Sequence, residues 1–179
     1  MTREERLRAA IRTVPDFPQS GIQFRDITTL LADGPVLAEA IDALADIATP
    51  LGAQAVAGID ARGFIFGSAL ALRLGTGFIP VRKAGKLPVA TIRQDYSLEY
   101  GSATLELDPT MIAPGQKVLL VDDLLATGGT AGAAASLLRQ AGAVCEQALF
   151  VIDLPELGGS EFLGSQGVRA HSLIEFGGH

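Results

Sequence analysis

The stretch Val118–Thr130, VLLVDDLLATGGT, joins an apolar run to two adjacent carboxylates and then to a glycine pair flanked by threonines. The four aliphatic residues from Val118 to Val121 predict a buried strand. The small and apolar residues beyond the glycines predict a helix from Thr130 to Gln140. A strand that feeds a helix through a glycine loop is the local unit of a parallel α/β sheet. Asp122 and Asp123 repel each other, and a turn gives no reason for them. The end of this strand is therefore read as a place where their charge or hydrogen-bonding capacity is used.

The same alternation runs along the rest of the chain. Thr2 and Glu5 have capping-box spacing, and Leu7, Ala10, Ile11 and Val14 follow at helical intervals, so a short N-terminal helix is expected. Pro15 and Pro18 end it, and PDFPQSGIQF is read as loop. Asp33 is placed to cap a second helix from Pro35 to Ala48, with Leu37, Ile41, Leu44, Ala45 and Ala48 on one face. AQAVAGID is an apolar run ending at Asp60, GFIFGSALALRLG a small-residue helix stopped by Gly75, and FIPVR, LFVIDL and SLIEF are further strands. Several of these runs are apolar without interruption, as strands buried on both faces are. The expected fold is α/β: one domain over residues 1–179, with a central, mostly parallel sheet flanked by helices.

Composition narrows the function classes. The chain has 179 residues, 48% hydrophobic and 19% charged, which is ordinary for a globular domain. Its net charge of −6 argues against a nonspecific nucleic-acid binder. No apolar run has the length of a membrane span, and the N-terminal residues do not resemble a secretory signal. A single cysteine, Cys145, excludes an internal disulfide framework and a cysteine-rich zinc site, and His171 and His179 are too few for a histidine cluster. A cytoplasmic enzyme or binding domain, with no membrane and no nucleic-acid partner, is the expectation.

Ligands of open α/β sheets sit beyond the carboxyl ends of the strands. Three strand ends carry polar residues: Asp60-Ala61-Arg62-Gly63, Val81-Arg82-Lys83 and Asp122-Asp123. ATGGT, residues Ala126, Thr127, Gly128, Gly129 and Thr130, has the outline of a phosphate cradle, with glycines for close backbone approach and a helix N-terminus behind them. It is neither a Walker A loop nor a dinucleotide fingerprint. Metal ligation, general base chemistry and hydrogen bonding to a diol would each suit Asp122 and Asp123. A phosphate beside a diol describes a ribose 5-phosphate. Arg82, Lys83, Lys86 and Arg93 are four of the 14 cationic side chains, crowded into a loop that Gly85 and Pro88 keep from being helical. With Arg62 they offer positive charge to an anion. YSLEYG, within a lid spanning residues 90–104, brings Glu99 as a candidate acid or base.

Together these segments resemble the type I phosphoribosyltransferase family, and within it the branch that uses adenine. The class rests on VLLVDDLLATGGT. The branch rests on PDFPQSGIQFRDIT, ARGFIFG, VRKAGKLP, YSLEYG and a segment ending in Gly178-His179, all in family order. The resemblance implies a purine salvage reaction in which adenine and 5-phosphoribosyl 1-diphosphate give AMP and pyrophosphate. It further implies Mg²⁺ held mainly by substrate and water rather than by protein ligands. By position, Ala126–Thr130 would hold the 5-phosphate, and Asp122 and Asp123 the ribose hydroxyls. Arg62, Lys83 and Lys86 would face the diphosphate, with Arg82 lent by the neighbouring subunit of a homodimer. Adenine would lie between Phe24 and Leu124, its edge read by backbone groups around Arg25, and Glu99 would handle a proton. A hood built from residues 1–30 and the C-terminal segment, and a cis peptide at Asp60-Ala61, are implied in the same way. Two alternatives stay open: a non-catalytic regulator that binds the sugar diphosphate, and an enzyme for another purine base.

Overall fold

The computed structural model describes residues 1–98 and 101–178; Glu99, Tyr100 and His179 lie outside the described residues. Helix α1 (Arg3–Ala10) opens on the expected capping box, in which Thr2 and Glu5 satisfy each other's backbone N–H. It stops earlier than its periodicity suggested. Arg12–Pro15 forms strand β1 and pairs antiparallel with β2 (Gln23–Asp26), so the end of the stretch read as loop is a strand. The hairpin is short and polar, and Arg12 and Asp26, opposite each other in register, form an ion pair across it. A small helix, α2 (Thr28–Ala32), follows. Asp33 then caps α3 (Gly34–Ala48), its side chain accepting a hydrogen bond from Val36 N at 3.2 Å.

From there the chain alternates: β3 (Ala55–Ile59), α4 (Arg62–Leu74), β4 (Gly77–Lys83), the antiparallel pair β5 (Ile92–Ser97) and β6 (Ser102–Leu107), β7 (Val118–Leu125), α5 (Gly129–Gln140), β8 (Gln147–Asp153), α6 (Gly159–Ser165) and β9 (Arg169–Glu175). These strands form one seven-stranded sheet in the order β5-β6-β4-β3-β7-β8-β9. Five strands, β4-β3-β7-β8-β9, are joined by four parallel pairings, and β6 and β5 add an antiparallel edge. The lid region around residues 90–104 is thus mostly a hairpin of that edge, with strand alternation before Gly101 as well as after it.

Both faces of the sheet's centre, β3, β7 and β8, are buried, which is why these strands read as continuous apolar runs. Along β7, Val118 and Leu120 pack on one face with Ala134, Leu137 and Leu138 of α5. Leu119 and Val121 face the other way, toward Leu44 of α3 and Phe66 and Leu70 of α4. The helices after β3 and β7 therefore cover opposite faces, and the adjacent carboxyl ends of these two strands form a topological switch point.

α4 lies unusually close to the sheet. A Cβ on Gly58 of β3 would stand 2.6 Å from the Gly63 carbonyl oxygen and 2.7 Å from the Phe78 ring. A Cβ on Gly63 would stand 2.9 Å from Val121 O and from Asp122 Oδ1. Only glycine permits this approach. Gly58→Ala should therefore lower stability by about 1–3 kcal/mol, seen in urea unfolding as a lower midpoint with an unchanged slope. An unchanged midpoint would mean that α4 can move away at no cost.

Candidate active site

Two cavities meet at the switch point. The smaller, about 330 Å³, is lined by the Ile59–Arg62 turn, Lys83, Tyr96 and the whole stretch from Asp122 to Ala131. The larger, about 1250 Å³, has a mainly apolar wall that includes Phe17, Ile22, Phe24, Leu98, Leu124 and Leu154. Arg62, Asp123, Leu124, Ala126, Thr127, Gly129 and Thr130 line both, so the two form one continuous site with a polar end and an apolar end.

At the polar end, β7 continues through the acidic pair to Leu125, four residues past the expected end of the strand. The two carboxylates therefore point to opposite sides of the chain. Asp122 lies against the first turn of α4, and its Oδ1 accepts a hydrogen bond from Asp123 N at 2.9 Å. Asp123, 5% exposed, accepts from Arg62 Nε. Burial, reinforced by the neighbouring Asp123 carboxylate, pushes the Asp122 pKa well above the ordinary carboxylate value. The peptide Asp60-Ala61 is cis, as the resemblance implied.

The cradle follows at once. Gly128 adopts φ 89°, and a Cβ there would stand 2.9 Å from the Phe162 ring and 3.0 Å from Gly159 O. Gly159, at the start of α6, sits so close beneath the loop that a Cβ would overlap Ala126 O at 2.4 Å. α6 is thus the floor of the loop, a role that the sequence signals only by its Gly158-Gly159 pair.

The cationic residues divide. Arg62 and Lys83 line the polar cavity, whereas Arg82 and Lys86 do not line it within this chain. Arg82 Nε lies 3.3 Å from Asp60 Oδ2, and Arg93 Nη2 lies 3.4 Å from Glu106 Oε2. The expected focus of four cations is therefore partly neutralised by acids from the turn after β3 and from β6. Among the described residues no cluster of three or more carboxylate, imidazole or thiol groups could hold a metal ion.

At the apolar end, Phe24 meets Phe17 edge-on, their ring centroids 5.1 Å apart. Leu124 of β7 lines the same cavity. The Arg25 side chain turns away to bind Thr13 Oγ1 at 2.6 Å and the carbonyls of Gly177 and Gly178 at 2.9 and 3.1 Å, and its guanidinium stacks on Phe176. It ties β2 to the segment after β9. Phe17, Ile22, Leu98, Leu154 and Tyr96 were not singled out as site residues. Phe17, Ile22 and Leu98 are isolated apolar residues outside the regular elements, and Leu154 reads as the end of a core strand. Tyr96 lies on an edge strand whose alternation gives no sign of the cavity it lines. Glu99 lies outside the described residues.

Residues 27–156 match the family model described as phosphoribosyl transferase domain. The chain belongs to the phosphoribosyl transferase family. Over all 179 residues, covering 100% of each chain, it is 62% identical to the adenine phosphoribosyltransferase of Erythrobacter litoralis. The crystal structure of adenine phosphoribosyltransferase from Thermoanaerobacter pseudethanolicus superposes with a TM-score of 0.92 at 43% identity, over 97% of this chain and 99% of that one. The Saccharomyces cerevisiae adenine phosphoribosyltransferase, solved with an imino-altritol bisphosphate and adenine, gives a TM-score of 0.89 at 37% identity, over 96% and 98%. Fold class and family thus agree with the reading of the sequence. No helix among the described residues is long and apolar enough to cross a membrane.

The raised pKa of Asp122 has a consequence for stability. A carboxyl whose folded pKa lies above its unfolded value weakens the fold as pH rises from about 3.9 through the folded pKa. Asp122→Asn keeps the acceptor for Asp123 N and removes the charge. Its melting temperature should exceed that of the parent at pH 7, with the gap closing by about pH 4, while phosphoribosyl transfer falls at least about tenfold. Thermal scans at the two pH values, beside an activity assay, check both halves.

Proposed function

We propose that the chain transfers the 5-phosphoribosyl group from 5-phosphoribosyl 1-diphosphate to adenine, giving AMP and pyrophosphate in purine salvage. The observation that carries this reading is the shared wall of the two cavities. A polar compartment with an acidic pair and a glycine cradle opens, at Asp123 and Leu124, onto an apolar compartment suited to a flat base. The names of the relatives support the same substrate pair.

In the reaction, the bond from ribose C1 to the diphosphate oxygen breaks, a bond from C1 to an adenine ring nitrogen forms, and that nitrogen loses its proton. Ala126–Thr130 hold the 5-phosphate through backbone N–H groups and the α5 N-terminus. Asp122 and Asp123 accept hydrogen bonds from the ribose hydroxyls. Arg62 and Lys83 meet the charge that grows on the diphosphate from the cavity wall, Lys86 reaches it from the loop beyond that wall, and Arg82 does so from the partner of a homodimer. Phe24 and Leu124 enclose the base, backbone groups around Arg25 read its edge, and Glu99 takes or returns the proton. The lid on the β5–β6 hairpin excludes water from the activated sugar.

The donor set suits Mg²⁺. Asp122 and Asp123 line the polar cavity, and carboxylates there would suit a hard cation that keeps most of its waters and is held mainly by the substrate. Bound in that way, Mg²⁺ would neutralise charge on the leaving diphosphate. A cytoplasmic location goes with this reading, because its substrate is a phosphorylated sugar.

A pyrophosphate-release assay with 5-phosphoribosyl 1-diphosphate and Mg²⁺, offering adenine, hypoxanthine, guanine and xanthine separately, tests the reading. Turnover is expected with adenine alone, and Glu99→Gln should lower kcat by roughly 10²-fold. Turnover with another base would overturn the account of the apolar compartment. Silence with all four, in protein that still binds the sugar diphosphate, would point to a non-catalytic regulator.

A further inference from the structure

Glu106 lies on β6 in the middle of the sheet edge and is 1% exposed. A buried carboxylate is costly unless its oxygens are filled. Here they are filled by the loop between β4 and β5 and by the start of β5. Oε1 accepts from Lys86 N at 3.0 Å and from Leu87 N at 2.9 Å. Oε2 accepts from Thr91 Oγ1 at 3.5 Å and lies 3.4 Å from Arg93 Nη2. The chain between β4 and β5 is therefore wrapped around a single carboxylate supplied by the next strand. Gly85, at φ 86°, makes the tight turn, and Ala84 N is bound to Thr104 O at 3.0 Å.

This arrangement inverts the usual use of a glycine-containing loop near a phosphate site. Successive backbone N–H groups in such a turn form a nest for an anion. In this loop an internal anion already occupies them. What remains for an external anion is the pair of lysine ammonium groups, and among the described residues neither Lys83 nor Lys86 has an ion-pair partner. The internal charge is also secure: the backbone N–H of Leu87, then those of Gly85 and Lys86 and the Arg93 guanidinium, hold the Glu106 pKa below its ordinary value.

We propose that Glu106 is a positioning residue for the diphosphate half of the reaction. By fixing the Lys86–Leu87 backbone it sets where the Lys83 and Lys86 ammonium groups stand, without itself touching substrate. This rests on the function proposed above for Lys83 and Lys86.

Glu106→Ala frees the loop, and Glu106→Gln keeps the side-chain volume and one acceptor oxygen. Two readouts apply: steady-state kinetics with each substrate varied, and calorimetric titration of pyrophosphate with Mg²⁺. Loss of hydrogen bonds to a charged group should raise the KM for 5-phosphoribosyl 1-diphosphate and the Kd for pyrophosphate by about 10–100-fold in Glu106→Ala. The KM for adenine should stay within about threefold, and Glu106→Gln should recover most of the loss because its amide oxygen still accepts from the loop. A merely structural role would instead move both substrates together with the melting temperature. That result, or an unchanged sugar-diphosphate side in both variants, overturns the proposal. If Glu106→Ala does not fold, Glu106→Gln decides alone, by whether its residual defect is confined to the sugar-diphosphate side. If the parent protein binds pyrophosphate but turns over no base, the function reading fails, while the titration still judges Glu106.

Discussion

The site depends on one close contact, that of the first turn of α4 against the carboxyl ends of β3 and β7. Gly58 and Gly63 let helix and sheet approach to a distance that no side chain would allow. This approach sets Arg62 against Asp123 and brings the Asp60-Ala61 turn beside Asp122. With a wider gap, the acidic pair would face solvent on one side and lose its cation on the other. Packing here comes before electrostatics, because the ion pair forms only where the backbones have already met.

Charge is then used in two opposite ways. Asp122 and Asp123 are kept close together at the cavity wall, where burial and mutual repulsion disfavour ionisation of Asp122. The arrangement costs stability and leaves an appetite for donors or cations brought by a ligand. Glu106 shows the reverse: its charge is consumed within the fold, and its pKa falls. Carboxylates of similar chemistry serve as site and as scaffold, and what separates them is how far backbone N–H groups fill them: one reaches Asp122, whereas Glu106 receives those of Lys86 and Leu87.

The parallel core was legible in the sequence because strands buried on both faces write uninterrupted apolar runs. VLLV and LFVI declare themselves at once. Asp33 as a helix cap, Gly75 as a helix stop and the glycine cradle were equally plain, since each signal is local. The β1–β2 hairpin was not legible, because its strands are four residues each, half-exposed, and stabilised by an ion pair between Arg12 and Asp26 across the register. Glu106 was hidden for a related reason. A glutamate in an alternating strand reads as solvated, and the loop that buries it lies some twenty residues earlier. The pairing of Arg82 and Arg93 with acids from other strands escaped notice in the same way. Local chemistry could be read, while partners supplied by tertiary contact could not.

The tie between Arg25 and the carbonyls of Gly177 and Gly178 joins positions 152 and 153 residues apart, and Arg8 reaches Glu175 O across 167 residues. Contacts of such long range carry the largest loop-closure entropy and come late in folding. A chain made from its N-terminus has β3, β7 and the glycine cradle available well before residues 176–178 emerge. The polar compartment can thus assemble first, while the apolar wall on β2 waits for Gly177 and Gly178 to arrive. Synthesis itself imposes an order on the two halves of the site.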